Sequence, residues 1–127
     1  MKEWIQSADW AKEKHVPVIE LESATKGKVV QAKVTVGKQI PHPNTTEHHI
    51  AWIELYFQPE GSRFPYLLVR VDFATHGAST DGPNTSTVYT WPTLSCSFST
   101  EKSGFLVALS YCNIHGLWQG SAELKLV

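Results

Sequence analysis

The chain has only two cysteines in 127 residues, Cys96 and Cys112, and a formal net charge of −1. Two cysteines are too few for a disulfide-stapled scaffold and suit a reducing compartment. A cytoplasmic protein is therefore expected, and a Cys96–Cys112 bridge is disfavoured. The near-zero charge lacks the basic footprint that drives binding to phosphate backbones, so nucleic acid is not an expected partner. Long apolar runs are missing too. The first fifteen residues, MKEWIQSADWAKEKH, interrupt with charges the apolar stretch a secretory signal needs, and no later run approaches membrane-spanning length. No membrane association is expected, and the acceptor-like Asn-Thr-Thr at Asn44 and Asn-Thr-Ser at Asn84 are then chance matches to the glycosylation pattern. Helical periodicity is scarce, with nothing beyond a turn near Ala8 to Lys14. Internal repeats, low-complexity tracts and linkers are lacking, which predicts one domain over residues 1–127.

Strand patterning is what the chain does have. Val30, Ala32, Val34 and Val36 alternate with Gln31, Lys33 and Thr35, and Leu67, Val69, Val71 and Phe73 alternate with Leu68, Arg70 and Asp72. Leu94, Cys96 and Phe98 alternate with serines, which makes Cys96 core filler, and Trp118 to Leu126 alternates in the same way. A period of two marks strands with one face in a core. The apolar runs Ile50 to Phe57 and Phe105 to Cys112 predict strands that are covered on both sides or lie near the middle of a sheet. Turn-forming residues separate these segments at the spacing of an antiparallel sandwich or barrel. The fold predicted is all-β, an immunoglobulin-like antiparallel β-sandwich of about seven strands, with an irregular N-terminal arm before Lys28. A chain of this length buries enough surface to fold without a metal.

The chemistry lies in the histidines. Five of the six fall outside the patterned strands or at their ends, in three groups: Glu13-Lys14-His15-Val16-Pro17, His42-Pro43-Asn44-Thr45-Thr46-Glu47-His48-His49, and Cys112-Asn113-Ile114-His115-Gly116. Alone, each group is weak, because an isolated histidine is usually a solvated side chain. The Cys112 and His115 pair is stronger, since a thiolate and an imidazole three positions apart in a tight turn can converge on one ion. Together, His15, His42, His48, His115 and Cys112 would supply five donors with a single sulfur. Structural zinc closes at four ligands and commonly takes more thiolates, so this set suits iron with one position left open.

The segments EKHVPVIE, HPNTTEHHI and CNIHG, in that order, resemble the three signature segments of the superoxide reductase family, which includes the neelaredoxins and the iron domain of desulfoferrodoxins. The resemblance runs from about residue 10 to the C-terminus. It implies a mononuclear non-haem iron in a square pyramid on an immunoglobulin-like sandwich, with His15, His42, His48 and His115 equatorial and Cys112 axial. It also implies that Lys14 attracts the superoxide anion and that Glu13 occupies the sixth position of ferric iron. His49 falls off the spacing and is expected not to bind, and His76, in a Gly-rich loop, is expected to be simply exposed. Two-iron relatives begin with a four-cysteine module for which this chain has no cysteines, so it resembles the one-iron members, with rubredoxin as electron donor and a homotetramer as assembly. The rival expectations are another mononuclear metal enzyme, such as an oxygenase, and a non-enzymatic β-sandwich binding module.

Overall fold

The structure, a computed structural model, describes residues 3–127; Met1 and Lys2, the start of the N-terminal arm, lie outside them. Seven strands follow in order: β1 (Pro17–Leu21), β2 (Val30–Val36), β3 (Ile50–Pro59), β4 (Tyr66–Asp72), β5 (Thr93–Phe98), β6 (Gly104–Cys112) and β7 (Gly116–Leu124). They form two antiparallel sheets, one ordered β1-β2-β5 and the other β4-β3-β6-β7. No helix among the described residues is long and apolar enough to cross a membrane. The expected all-β sandwich is what forms, and β3 and β6, the two apolar runs, are the central strands of the larger sheet.

Alternation decides which side chains meet between the sheets. Ala32 and Val34 of β2 and Leu94 and Cys96 of β5 turn inward, against Ile53, Leu55, Leu106 and Ala108 of β3 and β6. Both cysteines are free and buried. Apolar burial at roughly 25 cal/mol per Å² is the main force holding the sheets face to face. The arm is less irregular than expected, because Pro17–Leu21 pairs with β2 from Pro17↔Val36 to Leu21↔Ala32. This strand escapes the alternation rule. It is five residues long, opens on a proline, and buries two consecutive positions, Pro17 and Val18, before turning outward.

Two local features carry the chain into one end of the sandwich. At the start of β3 the register slips between Ile50 and Trp52, so Ala51 is an extra residue opposite β6. Such a bulge bends the strand and re-aims what precedes it, here His48 and His49. At the end of β6, Cys112 pairs with Gly116 and only three residues close the hairpin, with Gly116 at φ 81°.

The sheets also meet along a seam where β7 passes β1. A Cβ on Gly120 would lie 2.0 Å from the carbonyl oxygen of Pro17, a backbone atom that a side-chain rotation cannot move. Gly120→Ala is therefore expected to pry β1 from β7 and to cost about 1–3 kcal/mol of stability, as overpacked substitutions do. A thermal melt of the variant checks this, and an unchanged midpoint would show that the seam yields freely.

Candidate metal centre

Three separated stretches deliver five side chains to the same end of the sandwich. His15 stands two residues before β1, where Pro17 biases Val16 toward extended backbone. His42 lies between Pro41 and Pro43 in the β2–β3 connection. Its placement depends on Gly37, which has φ 82° and whose absent Cβ would fall 2.6 Å from the His42 nitrogen. His48 comes just before the Ala51 bulge. Cys112 ends β6 on the inward face, and His115 follows in the hairpin turn.

The donor atoms of His15, His42, His48 and Cys112 all lie within 4.8 Å of one another. His115 completes the group, with Nδ1 3.1 Å from Nε2 of His15 and 3.8 Å from Sγ of Cys112. The four imidazoles close a ring. Their centroids are 4.8 Å apart from His15 to His42, 4.8 Å from His42 to His48, 5.0 Å from His48 to His115 and 4.8 Å from His115 back to His15. The diagonal from His15 to His48 is longer, 6.5 Å. Neighbouring rings thus stand at the corners of a near-square, with the thiol of Cys112, fully buried, beside it.

Each imidazole's outward nitrogen is occupied where a partner is seen. His15 Nδ1 lies 2.6 Å from Glu13 Oε1, and the same oxygen accepts the backbone N–H of His15 at 2.9 Å. His42 Nδ1 lies 2.6 Å from the Pro43 carbonyl oxygen, which can only accept, so Nδ1 carries the proton. Its Nε2 then presents a lone pair. Nε2 of His42 and Nε2 of His48 are buried with no hydrogen-bond partner. A buried polar atom without a partner costs on the order of 1–3 kcal/mol, and two beside a buried thiol mark a place made for a missing electrophile. A divalent metal fits that donor set.

Charge is tuned to match. Burial pushes the His42 pKa down to about 4, against the pull of the Pro43 carbonyl, and the positive charges of His15, His48 and Lys14 add to the depression. His15 and His48 are lowered as well, first by burial. Neutral imidazole is the form that binds metal. Burial acts to raise the Glu13 pKa, but its hydrogen bonds to the ring and backbone of His15 outweigh that and hold it below the usual carboxylate range. Lys14 is half-buried, and its charge is felt by His15, His42 and His48 alike. The Cys112 sulfur accepts the backbone N–H of His115 at 3.4 Å.

The remaining histidines stay out of the ring. His49 turns away, bonding the Thr45 carbonyl through Nδ1 at 2.9 Å and stacking on His76 with centroids 3.5 Å apart and planes 5° from parallel. His76, expected to be exposed, is half-buried: its Nδ1 is sequestered and its Nε2 bonds the Phe73 carbonyl. The β4–β5 connection thus serves as a buttress for the loop that carries His48. Asn84 fastens it by exchanging bonds with Thr46 and reaching the Glu47 carboxylate at 2.8 Å, and Asn44 reaches the Thr90 carbonyl at 3.0 Å. The two acceptor-like asparagines are therefore structural cross-ties.

Two residues at the centre escape sequence reasoning. Asn113 joins the cysteine hairpin to the histidine loop on both sides of His48, accepting the His49 N–H at 2.9 Å and donating to the Glu47 carbonyl at 2.8 Å. Trp118 lies flat against His15, with centroids 4.7 Å apart and planes 12° apart. An asparagine inside a Cys-x-x-His turn is the one available signal for the first; the second is hidden within a regular strand pattern.

Comparison with known proteins places the arrangement. The family model described as desulfoferrodoxin matches residues 7–121. The superoxide reductase of Pyrococcus furiosus is 58% identical over 98% of this chain and 99% of its own length, and the neelaredoxin of Megalodesulfovibrio gigas is 46% identical over 99% and 98%. The solved structure of superoxide reductase (neelaredoxin) from Archaeoglobus fulgidus in the reduced form superposes with a TM-score of 0.93 at 68% identity, covering 98% of this chain and all of that one. With the fold, the ring of histidines and these likenesses in agreement, the chain belongs to the desulfoferrodoxin family, among its superoxide reductases and neelaredoxins.

Proposed function

We propose that the protein is a superoxide reductase whose mononuclear non-haem iron is held by His15, His42, His48 and His115 in a square with Cys112 as the fifth ligand. The observation that carries this is the closed ring of four imidazoles beside a buried thiol, with two nitrogen lone pairs left without partners. Iron bound there supplies a one-electron couple and one coordination position free for a small oxygen anion. The overall reaction takes one electron and two protons per superoxide and yields hydrogen peroxide.

The chain's own groups do the rest. The Cys112 sulfur donates electron density, and the His115 N–H pointing at it moderates that donation. The Pro43 carbonyl and the Glu13 carboxylate hold the Nδ1 protons of His42 and His15, which keeps both Nε2 atoms directed inward. Lys14 places a positive charge beside the ring, where it draws in an anionic substrate and orders a proton-donating water. Glu13 is assigned, from the family resemblance, the role of a carboxylate that fills the open position once the iron is oxidised.

Only one candidate metal cluster is found among the described residues, and Cys96 is the one cysteine outside it. Electrons must then come from another molecule, for which a rubredoxin-like donor is the proposal. A single domain over residues 1–127, a cytoplasmic setting consistent with two free cysteines, and a homotetramer complete it.

An optical spectrum of the oxidised protein tests the ligand set, with iron measured per chain. One iron and a sulfur-to-iron charge-transfer band are expected, and Cys112→Ser should abolish the band. A band that survives the substitution would remove Cys112 from the coordination sphere, and the absence of stoichiometric iron would remove the function. For Lys14→Ala, stopped-flow or pulse-radiolysis rates should show the bimolecular step slowed roughly 10-fold at low ionic strength, with a flatter salt dependence. Wild-type kinetics in that variant would leave Lys14 an ordinary surface lysine.

A further inference from the structure

Trp118 touches two corners of the ring at once. Its indole is stacked on the His15 imidazole, with centroids 4.7 Å and planes 12° apart, and its Nε1–H donates to the carbonyl of His115 at 3.2 Å. Those two histidines are adjacent corners, with Nε2 of His15 3.1 Å from Nδ1 of His115. One side chain from β7 therefore spans a whole edge of the square. His15 precedes β1 and His115 sits in an exposed three-residue turn, so neither has a regular backbone ladder of its own.

The strand under Trp118 is itself anchored. The N-terminal arm lies alongside it, Gln6 donating to the Leu117 carbonyl at 2.9 Å and accepting from the Gln119 N–H at 2.9 Å. Ser110 of the neighbouring strand β6, paired with Trp118, donates its hydroxyl to the His15 carbonyl at 3.2 Å. With Glu13 on its Nδ1, His15 is fixed at its backbone, at one ring nitrogen and across one ring face. Only the face is held by an uncharged aromatic surface. That surface also keeps water from one flank of the ring.

We propose that Trp118 is a positioning residue for the metal centre: its stacked indole sets the plane of His15, its N–H holds the His115 turn, and together they fix how this pair of imidazoles meets the metal. The proposal rests on the iron site described above and adds a residue to it. Loss of the stack loosens His15 and admits water to that edge. Water favours the more highly charged, oxidised state of the centre, so the reduction potential falls and the metal is released sooner.

The experiment uses purified iron-loaded protein and reads the rate of iron loss to a chelator and the midpoint potential, with a thermal melt alongside. Trp118→Leu, which removes stack and donor, should release iron about 10-fold faster and shift the potential downward. Trp118→Phe retains a ring over His15 and loses only the N–H, so it should fall between Leu and wild type. Should the Leu variant not fold, Trp118→Met, an unbranched and more adaptable side chain that likewise lacks a ring, takes its place. Wild-type release rate and potential in the Leu or Met variant would overturn the proposal, even if the melting temperature drops, because a purely structural role moves stability alone. If wild type itself holds no iron, the function falls and this inference falls with it.

Discussion

Four imidazoles and a thiol crowd one end of this sandwich with their lone pairs facing each other, and that convergence is the constraint around which the rest is arranged. Left to itself it is unfavourable. Two of the nitrogens are buried without a partner, each on the order of 1–3 kcal/mol above a satisfied group. Protonation would relieve the lone pairs but would put like charges within 5 Å or so of one another, and burial opposes it, so the His42 ring stays neutral down to about pH 4. A shared cation satisfies all of them at once. The binding free energy of a metal at such a site is of the order that stabilises whole small domains, which makes the strain affordable in a chain already folded by its core.

That convergence requires backbone that does not yield. Cys112 is placed by β6, a central strand flanked on both sides, and His48 by a bulge in its neighbour β3. The cysteine hairpin and the histidine loop are then fastened to each other by Asn113, and the histidine loop to the β4–β5 connection by Asn84, Thr46 and the stacked pair His49 and His76. His15 stands outside the strands, just ahead of β1. It is correspondingly the one with the most side-chain supports: Glu13, Ser110 and Trp118.

Much of this was legible in the order of residues. The strands β2 and β5 follow their alternation because each has one face in the core, β3 and β6 stand centrally in the larger sheet, and the ligand types announce themselves by clustering in turn-rich segments. Strand β1 was not legible, since a five-residue strand beginning on proline gives no period to read. Trp118 was invisible for the opposite reason. It fits the alternation of β7 so well that nothing in the sequence sets it apart from a core tryptophan, and its contact with His15 spans more than a hundred positions. His76 appeared idle because its burial comes from a partner, His49, supplied by another loop. Long-range contacts through loops leave no periodic trace.

The supports on the ring nitrogens are not equivalent, and the difference bears on turnover. His42 bonds a backbone carbonyl, which cannot leave without unfolding the loop. His15 bonds the carboxylate of Glu13, a partly exposed side chain that can leave by breaking its two hydrogen bonds to His15. A carboxylate oxygen 2.6 Å from the outer nitrogen of His15 cannot at the same moment fill a coordination position on the inner side of the ring. The two tasks assigned to Glu13 therefore exclude each other in time. With Glu13 on His15, the open position of a bound metal would be left to an anion; with Glu13 moved there, His15 would give up its charged acceptor and would donate less electron density. Under the proposed function, access to the site and the basicity of one of its ligands would thus depend on a single side chain, next to the lysine proposed to attract the substrate.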